Sequence, residues 1–370
     1  MRSESRVQNG DNPTRNMTLD VLRGAAIVDM ILVHSRGYLP SLAAGVVSHQ
    51  DIAMEGFLLL TGFVIGNIYL PRYRKNPQEV SGRLLERAWK IFAIQLAMVF
   101  SVSLVHYLVT AHPSQEQLMS FLFRSTFLLN QVGLMHILPT FIPLFLISPL
   151  LLLLLSRNLG PLVVALSTAL FAWSFFNPGA CGFGDPAIFP VCSWQLFFCV
   201  GACLGQIAAG RQNGVTGVAR WKLMIAAGTL LVLAMVTHHG QAIGRLAGHT
   251  IGSPFLEFGR FPLTFSGAIH GLAAWSFLAA CLLLVGERSL RDSRAADVLA
   301  VLGRRSLLVF VTHLYLAKAL AILAALYGAE RMLVPGIILV CGHLAICVVV
   351  IRKFERGGLP RPVRAAIAWI

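Results

Sequence analysis

Residues 19–34 read LDVLRGAAIVDMILVH, and this stretch decides how the rest of the chain is interpreted. A helix of this length spans most of a bilayer. It nevertheless carries the ionisable side chains Asp20, Arg23, Asp29 and His34. Such groups cost about 2.5–3.5 kcal/mol each at the centre of a membrane helix, so they usually face a protein interior or a wet cavity. The pattern therefore predicts a first membrane helix that lines a functional site.

The composition of the whole chain is that of a membrane protein. Of 370 residues, 56% are hydrophobic and 12% are charged, and the mean hydropathy is +0.72. The net charge of +14 would suggest a nucleic-acid partner in a soluble protein. Here the basic residues lie between apolar blocks, where the positive-inside rule explains them. We therefore expect a lipid bilayer as partner and no nucleic acid.

Apolar runs of about twenty residues predict an all-α polytopic protein with about ten transmembrane helices. The apolar segment 118–129 is short and carries Arg124, so we expect a re-entrant or interfacial helix there. If this segment does not cross the membrane, the basic loops lie on one side of it, and both termini are cytoplasmic. The predicted spans lie near 19–38, 49–70, 91–110, 137–156, 161–177, 194–210, 223–238, 262–285, 306–327 and 333–351.

This topology divides the chain into three parts. Residues 1–16 form a cytoplasmic tail, residues 17–352 form one integral membrane domain, and residues 353–370 form a basic cytoplasmic tail. The seven cysteines have no zinc spacing, and we expect no metal site. Cys181 and Cys192 flank a loop rich in Gly and Pro and can form a disulfide if that loop is extracytoplasmic.

His34 and Glu55 are the candidate catalytic pair. The turn between the first two spans lies near residues 43–46, with His34 about as far before it as Glu55 lies after it. Equal rise along both helices then places them at similar depth in the outer half of the membrane. An imidazole beside a carboxylate can act as a general base held in one tautomer. The alternative is a buried hydrogen bond that only fixes helix packing.

Four further residues are candidates for substrate binding. Arg23 can bind a phosphate or carboxylate from the cytosolic side, or it can be an interfacial arginine paired with Asp20. His270 enters the outer half of its span, with Arg260 just outside it, and His313 lies nearer the cytoplasmic face of the ninth span. For a lone histidine on an apolar helix, a satisfied core residue is the alternative to a ligand-binding one.

Three of these segments carry a resemblance to the acyltransferase family 3 membrane enzymes. LDVLRGAA at residues 19–26, with ten residues between Arg23 and His34, resembles the opening of that family. EGFLLLTGF at residues 55–63 resembles its acidic segment, with Thr in place of Ser. GRRSLLVFVTH at residues 303–313 resembles its late helix that ends in His.

Further segments resemble the OpgC branch, the membrane succinyltransferases of osmoregulated periplasmic glucans. They are HILPTFIPLFLISPL at 136–150, FNP at 176–178, WQLF at 194–197 and FSGAIHGLA at 265–273, in order along nearly the whole chain.

The resemblance implies a bacterial inner-membrane acyltransferase with no bound cofactor. Its donor substrate would be an acyl-CoA, with succinyl-CoA as the first candidate. The acceptor would be a hydroxyl of a periplasmic glucan. His34 would be the general base, Glu55 would orient it, and Arg23 would hold a donor phosphate or the succinyl carboxylate. Two alternatives stay open: O-acetyl transfer to another surface polysaccharide, and a solute transporter that uses the same charged interior.

Overall fold

A computed structural model describes residues 16–35, 52–104, 113–126, 137–177, 190–210, 221–222, 224–233, 235–236, 263–327, 333–356 and 358. The elements in these ranges are helices, as the composition predicts. In chain order they are α1 Met17–His34, α2 Ala53–Tyr73, α3 Pro77–Met98, α4 Gln115–Thr126, α5 Ile137–Ser156, α6 Gly160–Phe176, α7 Val191–Gly210, α8 Met224–Leu233, α9 Phe265–Val285, α10 Glu287–Asp292, α11 Arg294–Arg304, α12 Ser306–Tyr327 and α13 Leu333–Glu355. Ile65–Tyr69 is a π-helical stretch within α2, and Val99–Leu104 is another that continues α3.

Four helices among the described residues are long and apolar enough to cross a bilayer: α2, α5, α7 and α9. Shorter apolar stretches are Gly160–Phe176, Met224–Leu233 and Ser306–Leu320. Helix α1 has the necessary length, but it carries three charged side chains within 18 residues. The all-helical membrane class is therefore confirmed, while the number of ten spans and the side of each terminus stay predictions.

Most predicted spans coincide with helices, and the largest difference lies at the start of α3. The span predicted at 91–110 begins well inside a helix that starts at Pro77. The Asn76 side chain accepts a hydrogen bond from the backbone N–H of Glu79 and so caps this helix. Ion pairs between Glu79 and Arg83 and between Glu86 and Lys90 stabilise its charged first half. Hydropathy detects only the apolar second half.

Helices α2 and α7 pack backbone to backbone. Gly62 and Gly66 on α2 face Gly201 and Gly205 on α7, each pair separated by three residues. A Cβ at any of the four would overlap a backbone carbonyl of the other helix. Small residues at this spacing are the usual means of close helix contact in membranes. The contact fixes the position of α2, which carries Glu55.

A second close contact joins α1 to α11. A Cβ at Gly24 would overlap the carbonyl of Leu299, and a Cβ at Gly303 would overlap the carbonyl of Asp20 and lie 2.8 Å from the Gly24 nitrogen. Both glycines are buried. Only glycine therefore permits the approach that sets the register of α1 against the helices that follow α11.

The start of α1 lies at an end of the bundle that we call the basic end. The backbone N–H of Met17 donates a hydrogen bond to Glu287 on α10 at 3.3 Å. Nearby, Arg352 on α13 bonds Asp297 on α11 at 2.9 Å. Many of the basic residues predicted to lie on the cytosolic side are found here, on α3, on α11 with its C-cap Arg305, on α10 and at the end of α13.

One predicted covalent link falls partly within the described residues. Cys192 at the start of α7 is disulfide-bonded, whereas Cys199, Cys203, Cys281, Cys341 and Cys347 are free. Cys181, its predicted partner, lies outside the described residues.

Candidate functional site

Three histidines from three helices lie together in the interior, and we call them the histidine cluster: His34 on α1, His313 on α12 and His343 on α13. Nδ1 of His34 lies 2.9 Å from Nε2 of His313. Their rings are nearly parallel, with centroids 5.1 Å apart. The His343 ring follows, with its centroid 6.0 Å from that of His313. His313 and His343 are fully buried, and His34 is half-buried.

The contact at Gly24 and Gly303 explains why His34 and His313 meet. His34 lies ten positions after Gly24, and His313 lies ten positions after Gly303. The stretch on α1 rises about 15 Å, whereas the path from Gly303 crosses the break at Arg305 between α11 and α12. The hydrogen bond between the two rings shows that the histidines reach the same level. The prediction that His313 lies nearer the cytoplasmic face of its span stays a prediction.

The hydrogen bond between the two rings bears on what His34 can do. When Nδ1 of His34 carries the hydrogen and donates to Nε2 of His313, Nε2 of His34 is the basic nitrogen. That is the tautomer a general base requires. His313 is thus in the position of a group that orients an imidazole, in addition to its predicted role in substrate binding.

His343 is the member of the cluster that sequence reasoning missed. It lies within the apolar span predicted at 333–351, without a motif around it. The available signal was the one that drew attention to His313: an imidazole in the middle of a membrane helix.

Glu55 lies in the first turn of α2, buried against α9. A Cβ at Gly271 would lie 2.6 Å from Cγ of Glu55, so the carboxylate side chain fills the space left by this glycine. Gly271 directly follows His270, which is itself 8% exposed. Trp275, one turn further along α9, donates a hydrogen bond from Nε1 to the carbonyl of Ile52 at 2.7 Å. The structure therefore brings Glu55 and the His270 segment together at one helix contact.

Asp29 sets the depth of α2 relative to α1. Its carboxylate Oδ2 accepts a hydrogen bond from the backbone N–H of Ile52 at 2.8 Å, just before α2 begins. A carboxylate is favourable at a helix N-terminus, so this costly charge has a structural function. The sequence predicts that Glu55 and His34 lie at equal depth. The bond between Ile52 and Asp29 instead places the Glu55 backbone nearer the basic end. The catalytic pairing of Glu55 with His34 stays a prediction.

Arg23 lines a cavity of about 800 Å³ that opens at the basic end. Its guanidinium lies 3.9 Å from the buried Asp20 carboxylate, and its side chain is 26% exposed. Arg23 is therefore ion-paired with Asp20, and it faces a space large enough for a ligand. Its role in binding a phosphate or carboxylate stays a prediction. Thr61 and Phe310 line the same cavity.

Phe310 connects this cavity to the histidine cluster. Its ring lines the cavity and lies edge-on to the His313 ring, with centroids 5.5 Å apart. His313 follows Phe310 by three residues, about one helical turn. The bonded pair of His313 and His34 thus lies directly behind the inner wall of the cavity.

A smaller cavity of about 290 Å³ adjoins the larger one at the basic end. The two share a set of lining residues: Tyr69, Arg87, Arg304, Ser306 and Leu307. The smaller cavity is lined mainly by cations and aromatic rings.

Two further predictions concern Arg260 and metal binding. Arg260 lies outside the described residues. Within the part of the chain that the structure describes, no group of three or more His, Cys, Asp or Glu side chains has the arrangement of a metal site. Within the histidine cluster, His34 and His313 are joined by a hydrogen bond between their ring nitrogens.

Comparison with known proteins gives one match. A model of the family described as OpgC protein matches residues 15–356, which include every described helix. No curated protein matches the chain, and no solved structure matches it. The chain therefore belongs to the OpgC protein family, which implies a transferase of the OpgC type that modifies glucans.

Proposed function

We propose that the protein transfers a succinyl group from cytosolic succinyl-CoA to hydroxyl groups of a periplasmic glucan, as a multi-pass protein of the bacterial inner membrane. One observation carries the proposal. A cavity of about 800 Å³ opens at the basic end and reaches Phe310, whose ring contacts the histidine cluster. A donor that enters from the cytosol would bring its thioester toward a histidine that the acceptor approaches from the other side.

The chemistry follows from the residues at each end of this path. Nε2 of His34 would take the proton of a glucan hydroxyl as the oxygen attacks the thioester carbonyl carbon. A new C–O bond forms, the C–S bond breaks, and the CoA thiolate leaves with the proton from the imidazolium. Glu55 would stabilise the positive charge on His34 while it holds the proton.

The remaining candidates would bind the two substrates. Arg23 would hold the succinyl carboxylate or a donor phosphate, since a guanidinium matches either anion. His270 and Arg260 would contact the glucan at the far end of α9, and His313 would keep His34 in its basic tautomer. The cavity that opens beside Arg23 and the ion pair with Asp20 support a charged arginine in the membrane domain.

The first test uses purified protein in nanodiscs with succinyl-CoA and a linear glucan. We expect release of CoA thiol that depends on the acceptor, together with a glucan mass increased by a succinyl group. Acetyl-CoA in a parallel reaction distinguishes succinyl from acetyl transfer. Movement of a solute across proteoliposomes without thiol release would instead favour a transporter.

The second test addresses orientation. The structure describes Gln78 as exposed at the basic end, so Gln78→Cys should react with a membrane-impermeant maleimide only after spheroplasts are opened. The disulfide at Cys192 should become labelled in intact spheroplasts after mild reduction, because we place the loop at 178–189 in the periplasm. Labelling of Gln78→Cys in intact spheroplasts would reverse the orientation and exclude the donor route proposed above.

A further inference from the structure

The smaller cavity at the basic end has a strongly cationic lining. Five of its side chains are basic, Arg83, Arg87, Lys90, Arg304 and Arg305, whereas Glu86 is the single carboxylate among them. Tyr69, Phe354 and two leucines complete the walls. A space of about 290 Å³ with this lining suits an anionic group attached to a flat, partly apolar one.

The cations of this cavity fall into two classes by what holds them. Arg83, Lys90 and Arg304 are ion-paired, with Glu79, Glu86 and Glu355 respectively.

Arg87 and Arg305 are held differently. The guanidinium of Arg87 lies 5.6 Å from the centre of the Phe145 ring, and that of Arg305 lies 5.1 Å from the centre of the Phe354 ring. Among the described residues neither has a carboxylate within 4.0 Å. An aromatic face orients a guanidinium without neutralising its charge. These two arginines are therefore positioned to receive an anion.

The two cavities adjoin each other, because Tyr69, Arg87, Arg304 and two neighbouring residues line both. The larger cavity has mostly apolar walls and ends at Phe310, beside the histidine cluster. A ligand that fills both cavities needs a phosphorylated end, a long thin middle and a reactive tip.

We propose that the smaller cavity binds the phosphorylated adenosine end of the acyl-CoA donor, and that Arg87 and Arg305 recognise its 3′-phosphate. This inference rests on the proposed function, since it assumes an acyl-CoA donor. A phosphate monoester carries close to two negative charges and accepts bidentate hydrogen bonds from guanidinium groups. The adenine would lie against the aromatic walls of the cavity.

The experiment compares succinyl-CoA with 3′-dephospho-succinyl-CoA as donors. In the unaltered protein, loss of the 3′-phosphate should lower kcat/KM about 10- to 100-fold, because it removes charge-assisted hydrogen bonds. In Arg305→Gln or Arg87→Gln, kcat/KM for succinyl-CoA should fall by a similar factor, and the two donors should become nearly equal. Arg291→Gln is the matched control: Arg291 lies at the same end, is paired with Glu287 at 2.9 Å and lines neither cavity. Its donor ratio should not change.

Each other outcome has a defined meaning. Equal use of the two donors by the unaltered protein would overturn the inference and leave the proposed function standing. An anionic lipid headgroup shares the phosphate chemistry, so the assay is run in nanodiscs with and without phosphatidylglycerol. If the arginine variants lose activity only in the anionic nanodiscs, and equally for both donors, the cavity is a lipid site and the inference is overturned.

A binding measurement separates this inference from the proposed function. If neither donor supports transfer, the proposed function fails, and calorimetric binding of adenosine 3′,5′-bisphosphate still tests the cavity. Binding to the unaltered protein about tenfold or more tighter than that of adenosine 5′-monophosphate, and lost in Arg305→Gln, supports the cavity as a nucleotide site. Equal binding of the two nucleotides overturns it.

Discussion

The basic end and the histidine cluster differ in how far their ionisable groups are buried. At the basic end several charges are partly exposed and ion-paired: the Arg352 side chain is 42% exposed where it meets Asp297. In the histidine cluster His313 and His343 are fully buried, and their position depends on helix register. Exposed pairs contribute little to stability and tolerate change, whereas a buried polar group that loses its partner is costly.

The difference predicts which kinetic constant each region controls. Substitutions at the basic end should act on donor binding, and so on KM. Substitutions in the histidine cluster should act on the chemical step, and so on kcat. The variants below test this division, beginning with the largest expected effect.

Replacement of His34 by Ala should lower kcat about 10²–10⁴-fold, the usual contribution of a positioned general base. The KM for succinyl-CoA should stay close to that of the unaltered protein, because the cavity at the basic end is untouched. Rates of thiol release at several donor concentrations give both constants. Near-normal turnover in a well-inserted variant would remove His34 from the catalytic role.

Glu55→Gln should lower kcat about 10- to 100-fold, since the amide keeps the shape of the side chain but loses the charge that stabilises the imidazolium. Donor binding should again be unchanged. Gly271, against which Glu55 packs, should tolerate the isosteric amide, so the variant should fold. If Glu55→Gln folds poorly but the folded fraction turns over normally, the carboxylate has a packing role only.

Gly303→Ala tests the contact that brings His34 and His313 to one level. The added methyl group would overlap the Asp20 carbonyl, and overpacking of this kind costs about 1–3 kcal/mol. We expect a lower unfolding temperature and a lower kcat together. Gly82 on α3 is the matched control: it has no neighbouring atom within 4 Å.

In the control Gly82→Ala, the unfolding temperature should rise slightly or stay the same, because alanine favours a helix by about 1 kcal/mol over glycine. A normal kcat and unfolding temperature in Gly303→Ala would mean that the two helices can separate without moving the histidines.

The helices were predictable because the apolar runs that indicate them are local features of the sequence. The runs at 137–156 and 306–327 match α5 and α12 at both ends. The charged first half of α3 was not predicted, because a search for apolar runs does not detect it. A side-chain cap and ion pairs stabilise this half of the helix.

The site was predictable residue by residue but not as an arrangement. His34, Glu55 and His313 each stand out as ionisable groups in apolar helices. Which of them touch depends on helix register, and that register is set by backbone contacts at Gly24 and Gly303 and by the bond from Ile52 to Asp29. Neither contact has a sequence signal that identifies its partner, so the sequence does not predict the hydrogen bond between His34 and His313.

The smallest effect is expected where the basic end fixes the start of α1. The pKa of Glu287 lies below its usual value of 4.5, because Arg291 and the backbone N–H of Met17 donate hydrogen bonds to the carboxylate. A lowered pKa means that this contact stabilises the folded state above the unfolded-state pKa and is lost as the pH falls through the folded-state value. Since the side chain is 46% exposed, its contribution at pH 7 should be below about 1 kcal/mol.

Glu287→Gln should therefore lower the unfolding temperature slightly at pH 7 and by less at pH 3, because the contact weakens as the pH falls through the lowered pKa of the carboxyl. Unfolding temperatures of both proteins, followed by tryptophan fluorescence at the two pH values, give the comparison. The kcat should not change, because Glu287 lies far along the bundle from the histidine cluster. An equal difference in unfolding temperature at both pH values would show that the side chain acts through packing and not through its charge. A large loss of kcat would show that the start of α1 is coupled to His34, which would contradict the division between the two regions.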